Sequence, residues 1–210
     1  DERPAEEKIE KVETIPAGVR PSVPEVRELA VETASAYPGP YSPAALGWAA
    51  PTKKGIRQIV ALHHFISSNW DYVSDPLFRQ QEYFTPADRT VAVGLAGDCD
   101  DYSILMASCI EAIGGRAHIV GGICAEGGHA WPEVCIGSRS RWQLARRVIS
   151  RVYPGIELQP SAPASSAEGA GGSAGTAGGY WLSLDWQIGS FSCDGQRELI
   201  YRSSRDHTGG

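Results

Sequence analysis

Residues 98–113 are the stretch with the least conformational freedom. Cys99, Tyr102, Leu105, Met106, Cys109, Ile110 and Ile113 recur at the three- and four-residue spacing of one buried helical face. Gly97 and Asp98 stand at its start, and Gly114-Gly115 at its stop. A helix with that apolar load needs a covering layer, and the flanking sequence offers one. Residues 117–124 and 129–136, joined by Ala125-Glu126-Gly127-Gly128, read as a β-hairpin. Upstream, 24–36 reads as a short helix. Residues 53–69 read as a longer one, with Ile56, Ile59, Val60, His63 and Ile66 on its stripe. Residues 70–76 read as an extended exit ending in a turn. Downstream, 141–152 reads as a helix, and 180–188 and 197–202 as strands. Helices, a central helix, then strands predict an α+β domain with a mostly antiparallel sheet.

At 210 residues the chain is sized for one domain with appendages. Residues 1–24 are charged and proline-dotted, and read as an extended arm preceding a single domain over 25–210. In 160–179, eighteen of twenty residues are Gly, Ala, Ser or Pro, so almost nothing there is available to bury. That segment reads as a mobile insertion within the domain. A net charge of −6 argues against nucleic acid or an anionic membrane surface as main partner. No apolar run approaches the ~18 residues of a membrane span. The charged leader and the start at Asp1 suggest an exported chain.

Chemistry concentrates at Cys99. A cysteine in the first turn of a helix feels the helix dipole and unpaired backbone N–H groups, which favour a thiolate. Asp98, Asp100 and Asp101 oppose that charge, so an imidazolium nearby has to offset them. Among five histidines, His63 lies on an apolar helical stripe and reads as a satisfied core residue. His129 opens the second hairpin strand after Gly127-Gly128, where it can face a helix packed on the sheet. A Cys–His pair needs a third group to orient the imidazole. The one asparagine, Asn69, lies upstream of the cysteine, and of the downstream aspartates only Asp185 sits within an apolar strand pattern. A carboxylate there requires a partner. His129 is one choice; Arg116 and Arg202 are others. Cys99 itself has the alternative of being a buried structural thiol. Cys124, His129, Cys135 and Cys193 lack any zinc spacing, and no metal or other cofactor is expected. Asp100 and Asp101 read as helix-start residues complementing the dipole. Apart from Cys99, the cysteines (Cys109, Cys124, Cys135 and Cys193) allow three disulfide connectivities, or none.

Gly97-Asp98-Cys99-Asp100-Asp101-Tyr102, Gly128-His129-Ala130-Trp131 and Leu184-Asp185-Trp186 together resemble the transglutaminase-like superfamily, in its order of Cys, His, Asp. Tyr72-Val73-Ser74-Asp75-Pro76 is similar to its bacterial members. The resemblance spans roughly 53–189, interrupted by the insertion. It implies a papain-like core in which the cysteine heads a helix packed on an antiparallel sheet carrying His and Asp. It also implies Cys99 as nucleophile, His129 as general acid/base and Asp185 as orienting group. The Cys99 N–H would belong to the oxyanion hole, with Trp70, Gln80 or Gln81 as candidates for the second donor. Trp131 is a candidate for the cleft wall. The expected function is thiol-dependent hydrolysis of a peptide or other amide through a thioester. The alternatives are acyl transfer to an amine, as in protein crosslinking, and a non-catalytic peptide-binding or scaffold domain.

Overall fold

A computed structural model describes residues 13–42, 50–74, 84–124, 127–161, 179–186 and 197–203. The elements run α1 (Ile15–Gly18), α2 (Pro24–Ala34), α3 (Lys53–Ser68), β1 (Asp71–Tyr72), α4 (Ala87–Ala92), β2 (Ala96–Gly97) and α5 (Cys99–Ala112). They continue with β3 (Ala117–Cys124), β4 (Gly127–Gly137), α6 (Arg139–Val152), β5 (Tyr180–Ser183) and β6 (Arg197–Arg202). The result is the expected α+β architecture. Four antiparallel strands form one sheet in the order β5-β4-β3-β6. The two-residue strands β1 and β2 form a separate parallel ribbon.

The central helix is more deeply enclosed than its sequence stripe predicts. Every residue of α5 from Asp100 to Glu111 is buried. The sheet covers one side of it, and α2, α3 and α4 pack on others. Leu105, Met106 and Ile110 are at most 1% exposed, each contributing about 1.5–3 kcal/mol by leaving water. Three of its polar side chains find partners within the protein. The hydroxyls of Ser103 and Ser108 donate to the carbonyls of Cys99 and Ile104, both at 2.7 Å. Glu111 accepts from the Tyr201 hydroxyl at 2.7 Å. The Asp98 carboxylate caps the helix by accepting from the Asp100 N–H at 3.2 Å.

Three segments differ from the sequence reading. From the leader, residues 13–24 include α1, a single turn with Pro16 in its first positions and Ile15 buried against the core. Residues 87–92 form a helix that the sequence gives little sign of, since it is six residues long. The strand read over 180–188 ends at Ser183. Leu184 still donates from its N–H to the Pro132 carbonyl at 2.8 Å, but Asp185 and Trp186 leave the ladder. The insertion at 162–178 lies outside the described residues.

Candidate active site

Two pieces of backbone geometry bring the site together. The β1–β2 ribbon pairs Tyr72 with Gly97, and Val73 donates to the Gly97 carbonyl at 2.9 Å. Tyr72 is thereby fixed two residues from Cys99. On the sheet, His129, Trp131 and Glu133 alternate along β4 and share one face. Glu133 faces Ser183 across the β4–β5 ladder. Extending that register puts Asp185 level with Trp131 and diagonal to His129, within reach of its side chain.

The contact forms. His129 Nε2 lies 2.6 Å from Asp185 Oδ2, with the two side chains 10% and 5% exposed. The imidazole also stacks on Trp131, ring centroids 5.7 Å apart. Trp131 donates its indole N–H to Glu133 at 3.1 Å, and Glu133 forms an ion pair with Arg197. Trp131 thus stands behind His129 as part of a buried polar and aromatic stack.

Cys99, half-buried, and His129 line two pockets in common. The larger, about 610 Å³, is walled by Glu13–Pro16, Phe84, Ala130 and Ile200, a size suited to an organic ligand. The smaller, about 150 Å³, lies between Tyr72, Trp186 and Cys124. Tyr72 and Trp186 stack at 5.2 Å with their planes 19° apart. Burial pushes the Cys99 thiol up to about 12, and the Asp98 and Asp100 charges add to the rise. The backbone N–H groups of Ala130 and Cys99 pull against it. Desolvation outweighs the helix N-terminus here, which favours the neutral thiol over the thiolate.

Trp70, in contrast, packs edge-on against Tyr102 at 5.1 Å. Its indole N–H is buried without a hydrogen-bond partner among the described residues. Gln80 and Gln81 lie outside the described residues. The residues the sequence did not single out are Phe84, Ile200 and Glu13–Pro16. They are ordinary apolar or leader positions whose only signal is where the chain places them.

Metal ligation has one geometric candidate among the described residues. Carboxylate oxygens of Asp98, Asp100 and Asp101 lie within 4.8 Å of one another. Asp98 is engaged in capping, and Asp101 accepts from the Thr85 N–H at 2.8 Å. A zinc set using Cys124 fails because Cys124 is disulfide-bonded. Cys99, Cys109 and Cys135 are free thiols. No helix among the described residues is long and apolar enough to cross a membrane.

The sequence model of the transglutaminase-like superfamily matches residues 44–145. A search of curated proteins gives no significant match. Among solved structures, the chain is similar to one named "a Putative Cysteine Protease from Cytophaga hutchinsonii", at 18% identity and a TM-score of 0.36. The match covers 52% of this chain and 32% of that one, so this chain spans about a third of that protein's length. The family match contains α5, Cys99 and His129 and ends before Asp185, whose place beside His129 rests on the geometry above. Over residues 44–145, just under half of the chain, the sequence is thus similar to the core of the transglutaminase-like superfamily.

Proposed function

We propose that the chain is a thiol hydrolase of peptide or other amide bonds, with Cys99 as nucleophile, His129 as general acid/base and Asp185 as its orienting group. The observation that carries this reading is the buried 2.6 Å contact between His129 Nε2 and Asp185 Oδ2, beside a cysteine lining the same pockets. With Nε2 committed to the carboxylate, Nδ1 takes the Cys99 proton as sulfur attacks the amide carbonyl. The oxyanion is met by the Cys99 backbone N–H at the start of α5. Collapse breaks the C–N bond, and the amine leaves with the proton that His129 returns. Water, deprotonated by the same imidazole, then attacks the thioester, releasing a carboxylic acid and the free thiol.

The larger pocket suits an apolar side chain of a peptide or protein substrate, since Ile15, Pro16, Phe84, Ala130 and Ile200 form much of its wall, with Glu13, Thr14 and Asp100 as its polar part. The disulfide at Cys124 favours an oxidising compartment, in keeping with export. The test is to incubate the protein with a mixed peptide library plus a fluorescent primary amine, then to read cleavage and amine incorporation by mass spectrometry. Cleavage that is lost in Cys99→Ala and His129→Ala is the expected result. Incorporation without cleavage would assign acyl transfer to an amine instead. Wild type and Cys99→Ala behaving alike in both readouts would overturn an enzymatic role.

A further inference from the structure

Asp185 presents a structural problem that the sheet does not solve. It lies beyond the end of β5, one residue past the Leu184 N–H bond to the Pro132 carbonyl. Its carboxylate nevertheless has to hold one position relative to His129, because a small displacement of an orienting group is expensive in rate. What meets it from behind is His63, on α3, 1% exposed. His63 Nε2 lies 2.7 Å from the Asp185 backbone carbonyl oxygen. A carbonyl only accepts, so Nε2 carries the proton. His63 Nδ1 lies 2.6 Å from the Tyr153 hydroxyl, just past α6, and accepts from it. The Tyr153 hydroxyl also hydrogen-bonds to Ser67.

We propose that His63 is a positioning residue for the Cys99–His129–Asp185 site, clamping the Asp185 peptide through its Nε2–H, with Tyr153 fixing the tautomer that makes this possible. The inference rests on the catalytic reading of that site. Burial holds His63 below its ordinary value and therefore neutral, despite the pull of the nearby Asp185 charge. Protonation would turn Nδ1 from acceptor into donor and disrupt the arrangement with Tyr153. The groups around it are Asp185 from just beyond β5, Tyr153 from the α6 end, and its own neighbour His64. The ring of Tyr153 adds an edge contact, centroids 5.4 Å apart, which keeps the imidazole from rotating. The line of contacts thus runs Ser67, Tyr153, His63, Asp185, His129, and it links the helical layer to the reacting groups. Any buried imidazole needs partners for both nitrogens; what sets His63 apart is that one of them is the backbone of the proposed orienting residue.

The test is a double-mutant cycle read by iodoacetamide alkylation of Cys99 at pH 7.5, mapped by mass spectrometry. In the wild-type background, His63→Leu is expected to slow alkylation about tenfold, and His63→Gln, which keeps an N–H donor at similar reach, to recover most of it. In a His129→Ala background, His63→Leu should have no further effect, because the residue it acts through is gone. A merely structural role would slow or speed alkylation equally in both backgrounds, and that result overturns the proposal. So does a wild-type rate in His63→Leu. If His63→Leu does not fold, Tyr153→Phe carries the same cycle with a smaller expected drop, about threefold, again only where His129 is present. Wild type and His129→Ala alkylating at the same rate would instead sink the catalytic reading on which the proposal stands.

Discussion

Asp101 occupies the space that a side chain on Gly97 would need. A Cβ built on Gly97 overlaps the Asp101 carboxylate, and Gly97 has a positive φ of 156°. The absence of a side chain at 97 is what lets the β2 strand run directly into the first turn of α5 and deliver Cys99 to the cleft. Gly97→Ala is therefore expected to cost about 1–3 kcal/mol of stability by overpacking. It should also slow Cys99 alkylation, because the buried Asp101 must move and it anchors the Thr85 N–H. Urea denaturation and alkylation mapping on the one variant check both effects.

Asp185→Asn should keep the fold and lose the chemistry. On the proposed mechanism, an amide at 185 would no longer stabilise the imidazolium formed when His129 takes the Cys99 proton. Turnover on any substrate found by library screening is expected to fall about 10²–10⁴-fold, the usual span for a general-base contribution. Unchanged turnover in a variant with native circular dichroism would remove Asp185 from the mechanism.

Stability should decline on both sides of neutrality. Burial pushes the thiols of Cys99 and Cys109 each up to about 12, and the hydroxyls of Tyr102 and Tyr153 upward as well. Above about pH 9 the unfolded chain gives up thiol protons that the folded chain retains, so the unfolding free energy drops as pH rises towards 12. On the acid side His63 is held below 6.5 by burial. The unfolded chain therefore gains a proton first, and stability is lost as pH falls through and below that value. Chemical denaturation across pH 5 to 10 should give a dome, with an acid limb shallower in His63→Gln. An acid limb identical in that variant would show that other groups control it.

Glu133 and Arg197 form a pair whose two halves should behave unequally. Glu133 is 3% exposed and accepts from both Trp131 and Arg197, whose guanidinium also lies 5.5 Å from the Trp131 ring centroid. Arg197→Met leaves a buried carboxylate without its cation and is expected to cost about 3–5 kcal/mol. Adding Glu133→Gln should recover part of that loss, because the stranded charge is gone. A double variant no more stable than Arg197→Met would mean that the ion pair is not what holds β6 to this face.

Much of the site was legible because periodicity and chemistry pointed the same way. The stripe from Cys99 to Ile113 could only be a packed helix, and Gly127-Gly128 before His129 announced a hairpin turn. Asp185 stood out as a carboxylate among Tyr180, Trp181, Leu182 and Leu184. Other parts were hidden for physical reasons. α5 looked one-sided because Ser103, Ser108 and Glu111 are polar, yet each finds a partner inside the protein, so the helix is buried all round. The helix dipole at Cys99 suggested an easily ionised thiol, but burial depends on what the rest of the chain stacks over it, and burial wins. His63 was read as a satisfied core histidine. That description is accurate, although one of the groups satisfying it is the Asp185 peptide, 122 residues away. Periodicity identifies a buried face without naming its tertiary partner.

Asp185 meets His129 from beyond the end of β5, a strand that pairs with β4 although α6 and residues 153–179 lie between them in the chain. On the proposed mechanism, a ribosome therefore releases the nucleophile and the base well before the residue that orients the base. A chain still being made would then hold the cysteine and an imidazole without its guide. On that reading, activity would switch on only when the sheet closes and brings Asp185 to His129, so chain order itself would delay it.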